Sequence, residues 1–381
     1  MEVNTWKEQT QCVHSGGIID KKTGGAITPI YTSTAYDYLG EGPLNYPRYF
    51  NTPNQKVVTE KIRVLEHGEY AITFSSGLAA ISAVLLALLK KGDHALFQGD
   101  IYGGTHHAIT SELSKFGIDF TFTTGFDSSD FEKHIRKETK LIYVETPSNP
   151  LLKIVDLRAI ASLCKSNNLI SIIDNTFASP INQNPIDLGI DVVTHSGTKY
   201  LGGHSDITCG AVVTSEKLGE KIYKAAVNYG GSPDPQMCYL LERSLKTLAL
   251  RVNKQNENAQ QIAQFLNGHK AVDAVYYPGL SDHPSHTIAK SQMKGFGGML
   301  SFEVNGDPDT FVKKLTLIKP AISLGGVEST ITSPTRTSHS KLTDAQRKVA
   351  GIKPNLLRLS VGIEDVGDLI WDLRKALGLL P

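Results

Sequence analysis

An α/β fold, with a mainly parallel sheet covered by helices on both faces and a smaller α+β region after it, is what this sequence predicts. From about residue 55, short runs that are apolar throughout alternate with helical stretches, as expected of strands buried on both faces. At 381 residues the chain exceeds a single small domain and points to two or three. The C-terminal strand ends of such a sheet are where a ligand belongs.

The first stretch, to about residue 55, is rich in Gly, Pro, Tyr and Thr with little periodicity, and reads as an irregular arm. Helices are predicted over 57–66 and 78–89, and strands over 94–98, 141–145, 169–174 and 191–195, with a helix over 157–166 between two of them. Residues 235–267 read as one long helix or two, able to connect domains. A strand over 298–304, a helix near 308–315, a loop over 323–329 and a strand over 356–361 follow. The last helix, 366–377, opens after Glu364 and Asp365, acidic residues at its positive end. The expected division is an arm (1–55), an α/β domain (56–245) and an α+β domain (246–381).

Lys and Arg (39) nearly balance Asp and Glu (38), which gives no electrostatic case for a nucleic-acid or membrane partner. The longest apolar stretch, 78–89, contains Ser82 and is too short to span a bilayer. The first residues lack the basic-then-apolar layout of a signal peptide. Cys12, Cys164, Cys209 and Cys238 lie far apart with no CxxC pair. They read as buried free thiols in a reducing compartment, so a cytoplasmic protein is expected.

The chemistry starts at His195-Ser196-Gly197-Thr198-Lys199-Tyr200, past a predicted strand. Lys199 could be a solvated turn lysine, the base of a Ser–Lys hydrolase with Ser196 as nucleophile, or a lysine forming a Schiff base with a cofactor. In the last case Ser196 and Thr198 would serve a phosphate. Asp174 ends the apolar run 169–173, where a carboxylate is costly without a positive partner. The pyridinium nitrogen of pyridoxal 5′-phosphate (PLP) is such a partner; a simple strand-ending turn is the bland alternative. Ser75-Ser76-Gly77-Leu78 opens the 78–89 helix, where free N–H groups bind anions and glycine permits close approach. An ordinary serine cap would look the same. Tyr102, followed by Gly103 and Gly104, could stack on a planar ring.

Taken together, these segments closely resemble the PLP-dependent Cys/Met metabolism (trans-sulfuration) family: cystathionine γ-synthase, cystathionine β- and γ-lyases, methionine γ-lyase and O-acylhomoserine sulfhydrylases. Further landmarks are Tyr46-Pro47-Arg48, Glu145-Thr146-Pro147-Ser148-Asn149-Pro150, Asp174-Asn175-Thr176-Phe177, Gly203-His204-Ser205-Asp206, Ser323-Leu324-Gly325-Gly326-Val327-Glu328-Ser329 and Arg358-Leu359-Ser360-Val361-Gly362. Each alone is weak; in this order over nearly the whole chain they are specific. The resemblance implies the aspartate-aminotransferase-like fold type I of PLP-dependent transferases. It makes Lys199 the cofactor-bearing lysine and proton shuttle, Asp174 the pyridinium partner and Tyr102 the stacking residue that helps move protons. Gly77, Leu78, Ser196 and Thr198 match the phosphate cradle. Tyr46 and Arg48 match residues reaching the phosphate of the neighbouring subunit's site, which implies a homodimer at least and usually a tetramer. Arg358 matches the clamp on the substrate α-carboxylate, with Ser323 and Asn149 beside it. His195, His204 and His339 are expected to make structural hydrogen bonds rather than bind metal.

Three features set this chain apart within the family. Ile322 stands where the family's γ-synthases and γ-lyases usually carry glutamate, an aliphatic choice that resembles β-lyases, methionine γ-lyases and some sulfhydrylases. Gly104 stands where methionine γ-lyases typically carry cysteine. The segment 46–54 is one residue longer than the family's Tyr-x-Arg-x-Gly-Asn-Pro-Thr. The expectation is a cystathionine lyase, β-elimination preferred; γ-replacement on an acylated homoserine is the alternative. A PLP protein without catalysis is a third reading, which the intact Lys199, Tyr102 and Arg358 oppose.

Overall fold

The computed structural model describes residues 6–40, 42–338, 340 and 343–378. The first sheet comprises β1 (Tyr70–Phe74), β2 (His94–Gln98), β3 (Asp119–Thr123), β4 (Thr139–Glu145), β5 (Ile170–Asp174), β6 (Val192–Ser196) and β7 (Gly210–Thr214). Their spatial order is β1-β7-β6-β5-β4-β2-β3. β2 to β6 pair in parallel, and β7 runs antiparallel to both its neighbours. The expected mainly parallel sheet is therefore present.

Around it lie α1 (Glu8–His14), α2 (Pro53–Leu65), α3 (Gly77–Leu88), α4 (Gly103–Glu112), α5 (Ser128–Glu132), α6 (Leu157–Ser166), α7 (Ser179–Asn182) and α8 (Glu216–Tyr229). Both faces of the sheet are covered. Ile142, Val144 and Ile173 join a core with α6 and α9 (Pro235–Leu245), while Leu141, Tyr143 and Ile172 join another with α3. Alternate residues of one strand are thus buried on opposite sides, which is why these runs are apolar throughout.

Three strands of this sheet escaped the sequence reading. β1 and β3 are its edges, and their mixed runs, Tyr-Ala-Ile-Thr-Phe and Asp-Phe-Thr-Phe-Thr, lack the all-apolar signature, although β1 is buried on both faces. β7 follows β6 by a loop, not a helix, because antiparallel neighbours need no crossover. The arm is not wholly irregular either. α1 lies in it, and the buried Lys61 of α2 donates to the carbonyl of Cys12 at 2.9 Å. α2 starts at Pro53, four residues before the expected start. Pro53 suits the first helical position, and Thr52 N–H donates to Gln55 Oε1 at 3.0 Å.

Residues 235–267 form two helices, α9 and α10 (Leu248–Leu266). The second sheet, in the order β10-β11-β12-β9-β8, contains β8 (Val272–Tyr276), β9 (Met299–Val304), β10 (Lys319–Pro320), β11 (Thr330–Thr332) and β12 (Leu356–Ser360). Its helices are α11 (His286–Gln292), α12 (Pro308–Lys314), α13 (Asp344–Val349) and α14 (Val366–Ala376). Asp365 caps α14 as its acidic start foretold, accepting from Gly367 N–H at 2.8 Å. All four cysteines are free and buried. Among the described residues, no helix is long and apolar enough to cross a membrane.

Candidate active site

The parallel register sets the site. β5 lies against β4 with Asp174 opposite Glu145, and against β6 with Asp174 opposite Thr194. Lys199 follows three residues beyond the end of β6. The strand ends open onto a cavity of about 520 Å³. Every sequence-predicted site residue except Tyr46 and Arg48 lines it: Gly77, Leu78, Tyr102, Asn149, Asp174, Ser196, Thr198, Lys199, Ile322, Ser323 and Arg358. Within the chain, Arg48 instead donates to the carbonyl of Val227 at 2.9 Å, with its guanidinium over the rings of Tyr49 and Tyr46. A second cavity, about 250 Å³, lies beside Arg63, which is already paired with Glu60.

At the floor, Asp174 is buried. Its Oδ1 accepts from Thr176 N–H at 3.0 Å and from the Thr176 hydroxyl at 2.5 Å. Ser196 N–H donates to that same hydroxyl oxygen at 2.8 Å, so Thr176 ties the ends of β5 and β6 together. Burial pushes the Asp174 carboxyl up from the usual range, against the hydrogen bonds from Thr176. The Tyr143 hydroxyl beside it also favours the charged carboxylate.

Two groups that sequence reasoning passed over support this floor. Glu145 lines the cavity, and its Oε2 accepts the Tyr102 N–H at 2.6 Å. Burial and the neighbouring Asp174 charge push its carboxyl well above the usual range. Its signal was available: like Asp174, it is a carboxylate closing an apolar strand. Behind the floor, buried Glu66 Oε1 accepts from Asn175 Nδ2 at 2.8 Å and pairs with His195 Nε2 at 2.5 Å. Nothing in the sequence around Glu66 signals that pairing.

The start of α3 faces the same space. Ser76 caps it, its Oγ accepting from Ala79 N–H at 3.1 Å. The N–H groups of Gly77 and Leu78 have no acceptor among the described residues. A Cβ on Gly77 would lie 2.9 Å from Ser196 Cβ, so only glycine lets α3 approach β6 this closely. The Ser196 hydroxyl is free of partners among the described residues, whereas the Thr198 hydroxyl is shared with Cys209, donating to its carbonyl at 3.3 Å and accepting from its N–H at 3.1 Å. Tyr102 caps α4 at the rim, and a Cβ on Gly104 would lie 2.5 Å from its ring.

Opposite stand Lys199 and the second sheet. Lys199 Nζ donates to Ser323 Oγ at 2.8 Å. Burial, aided by the Arg358 charge, lowers its ammonium to about 8. Arg358, 5% exposed within β12, donates to Asn149 Oδ1 at 2.7 Å, and burial lowers it to about 10. An arginine this buried, with one neutral hydrogen bond and no carboxylate partner among the described residues, suits an incoming anion. Ile322 stands at the mouth, 75% exposed. His204 Nδ1 lies 2.8 Å from the carbonyl of Gly202, a structural bond as expected, and His339 is outside the described residues. Among the described residues, no three His, Cys, Asp or Glu side chains are grouped to hold a metal ion.

PLP fits these groups. Free helix N–H groups and a free hydroxyl suit its phosphate, Asp174 is a buried carboxylate lining the cavity and suits a protonated ring nitrogen, and the lysine has a lowered pKa. Fold and site thus define a PLP-dependent enzyme of fold type I. The family profile of Cys/Met metabolism PLP-dependent enzymes matches residues 9–378. Cystathionine gamma-lyase of Bacillus subtilis (strain 168) is 44% identical over 376 residues, covering 97% of this chain and 99% of the relative. Cystathionine beta-lyase of Lactococcus lactis subsp. cremoris (strain MG1363) is 44% identical over 375 residues, covering 97% and 98%. The crystal structure of cystathionine gamma-lyase from Lactobacillus plantarum complexed with L-serine superposes with a TM-score of 0.94 at 44% identity, covering 98% and 99%. The chain belongs to the family of Cys/Met metabolism PLP-dependent enzymes.

Proposed function

We propose that this chain is a cystathionine lyase, cleaving the C–S bond on the β side in preference to the γ side. The observation that carries the reading is the convergence of Lys199, Ser323, Arg358 and Asn149 on one cavity whose mouth residue, Ile322, carries no charge. Relatives of equal identity are named for β- and for γ-lyase activity, so the preference rests on Ile322.

Bound PLP supplies an electron sink for the charge left when the substrate Cα loses its proton. Asp174 would hold the ring nitrogen protonated. The α3 N–H groups, with Ser196 and Thr198, would hold the phosphate, and Tyr102 would cover the ring. Arg358, oriented by Asn149, grips the α-carboxylate in its planar fork, with Ser323 beside it. Lys199, lowered toward neutral pH, takes the Cα proton and returns one to the departing sulfur. A leaving group on Cγ needs a further proton removed from Cβ, which the same mobile amine can reach. Tyr46 and Arg48 serve the phosphate of a neighbouring subunit, so the working unit is a homodimer or a tetramer of such pairs, located in the cytoplasm. The arm (1–55) and the two domains (56–245 and 246–381) are the units of this assembly.

Borohydride reduction followed by peptide mass spectrometry should find a pyridoxyl group on Lys199. Incubation with cystathionine should yield pyruvate in excess of 2-oxobutyrate. Release of neither keto acid would refute the lyase reading, and conversion of O-acetyl- or O-succinylhomoserine with a thiol would support γ-replacement in its place.

A further inference from the structure

α10 carries a buried polar stripe that the chemistry above does not use. Arg251, Gln255 and Asn258 are spaced by four and three residues, which at 100° per residue puts them within an arc of about 60°. All three are buried, and each donates into a different segment of the site. Arg251 donates to the carbonyl of Tyr200 at 2.8 Å, of Leu201 at 3.4 Å and of Ser244 at 3.0 Å, the first two in the turn directly after Lys199. Gln255 Nε2 donates to the carbonyl of Gly326 at 2.7 Å, three residues past Ser323. Asn258 Nδ2 donates to the carbonyls of Gly362 at 3.1 Å and Glu364 at 2.8 Å, just past β12 and Arg358.

The three segments are also joined to one another in front of the helix. Val327 N–H donates to the carbonyl of Gly203 at 2.9 Å, and Ile363 N–H to the carbonyl of Val327 at 2.9 Å. Gly325 N–H donates to Ser360 Oγ at 2.8 Å. The fit leaves no slack: a Cβ on Gly203 would lie 1.9 Å from Arg251 Nη1, and one on Gly325 2.9 Å from Tyr200 N. Ser323 itself sits at φ 81°, a strained value for serine that persists only where its surroundings hold it.

We propose that Arg251, Gln255 and Asn258 are positioning residues: α10 fixes the distance between the proton-moving amine of Lys199, the hydroxyl of Ser323 and the carboxylate clamp Arg358. This rests on the reading that Lys199 and Arg358 act together on an α-amino acid. A shift of about 1 Å between such groups costs roughly a hundredfold in rate, so a shared rigid backing has a direct catalytic consequence.

The test uses the PLP-loaded enzyme. Gln255→Met removes one donor while filling the same space, and Glu257→Ala, on the exposed side of α10, is the control. Binding of L-alanine is followed by the change in the visible band of the cofactor, and turnover of cystathionine is measured separately. Gln255→Met is expected to weaken L-alanine about tenfold and to shift the pH midpoint of the visible band, with the far-UV circular dichroism unchanged. Ser323→Ala is expected to cost about fivefold less in the Gln255→Met background than in the wild type. Wild-type binding and pH midpoint in Gln255→Met, with multiplicative effects in the double variant, would overturn the proposal. Should Gln255→Met not fold, Arg251→Met and Arg251→Lys decide in the same way: recovery of alanine affinity and of the midpoint in the lysine variant only is expected, and equal behaviour of the two would sink the idea. If the wild type binds L-alanine but releases no keto acid from cystathionine, the lyase reading fails and the positioning proposal stands or falls on the binding data.

Discussion

On the seven-stranded-sheet side of the cavity, the functional groups stand on strand ends and a helix start: Asp174 and Glu145 close β5 and β4, Ser196 closes β6, and Gly77 opens α3. On the five-stranded-sheet side, Ile322 and Ser323 stand on a loop between β10 and β11, and Arg358 is buried inside β12. The first wall is fixed by a sheet whose strands are packed into a core on each face. The second meets solvent at Ile322, where a side chain can change without disturbing a core. The strand-end groups thus sit where a substitution disturbs a core, whereas Ile322 sits on a loop where a side chain can be exchanged.

Substitutions on the two walls should therefore differ in kind. Lys199→Ala is expected to reduce turnover of cystathionine by about 10²–10⁴-fold or more, since it removes the proton-moving group itself. A steady-state assay and the loss of the covalently held chromophore check it. The same lysine makes a pH-dependent prediction. Only the neutral amine attacks an aldehyde, so recombination of apoenzyme with PLP should speed up as pH rises and level off just above about 8, not near the ordinary lysine value. A stopped-flow pH profile still rising at pH 10 would contradict the burial argument.

Asp174→Asn should lower kcat by roughly 10²–10³-fold, because a neutral amide no longer holds the ring nitrogen charged. Its circular dichroism should stay unchanged. Arg358→Lys keeps the charge but loses the planar fork, and should lower kcat/KM by roughly ten- to a hundredfold, mostly through KM. The smallest effect is expected at the mouth. Ile322→Glu should leave the total lyase rate within about tenfold while raising the ratio of 2-oxobutyrate to pyruvate. A ratio that does not move would remove the basis for preferring the β side, and a loss as large as that of Asp174→Asn would erase the distinction between the walls.

Much of the first wall was legible in the sequence because its elements are local. The apolar runs of β2, β4, β5 and β6 announce strands buried on both sides, and the carboxylate and lysine just past such runs, bland when taken singly, gain meaning because both fall at neighbouring strand ends. β1 and β3, edge strands paired along one side only, carry mixed residues and escaped notice. So did α1, seven residues within a Gly- and Pro-rich stretch, and the first turn of α2, whose residues are polar. Glu145 could have been found by the argument that found Asp174; Glu66 could not, since its partners Asn175 and His195 are more than a hundred residues away.

By itself the sequence determined which chemical groups this protein brings to its cavity: an amine, a carboxylate, a helix start and a guanidinium, each written in a few consecutive residues. The tertiary structure decided how those groups face one another, from the side-by-side ends of β4, β5 and β6 to the backing of three loops by α10. The reason is physical. Residue type and local spacing fix what a segment is and what it can donate or accept, but the distance between Lys199 and Ser323, 124 positions apart, is set by packing between elements that no local pattern encodes.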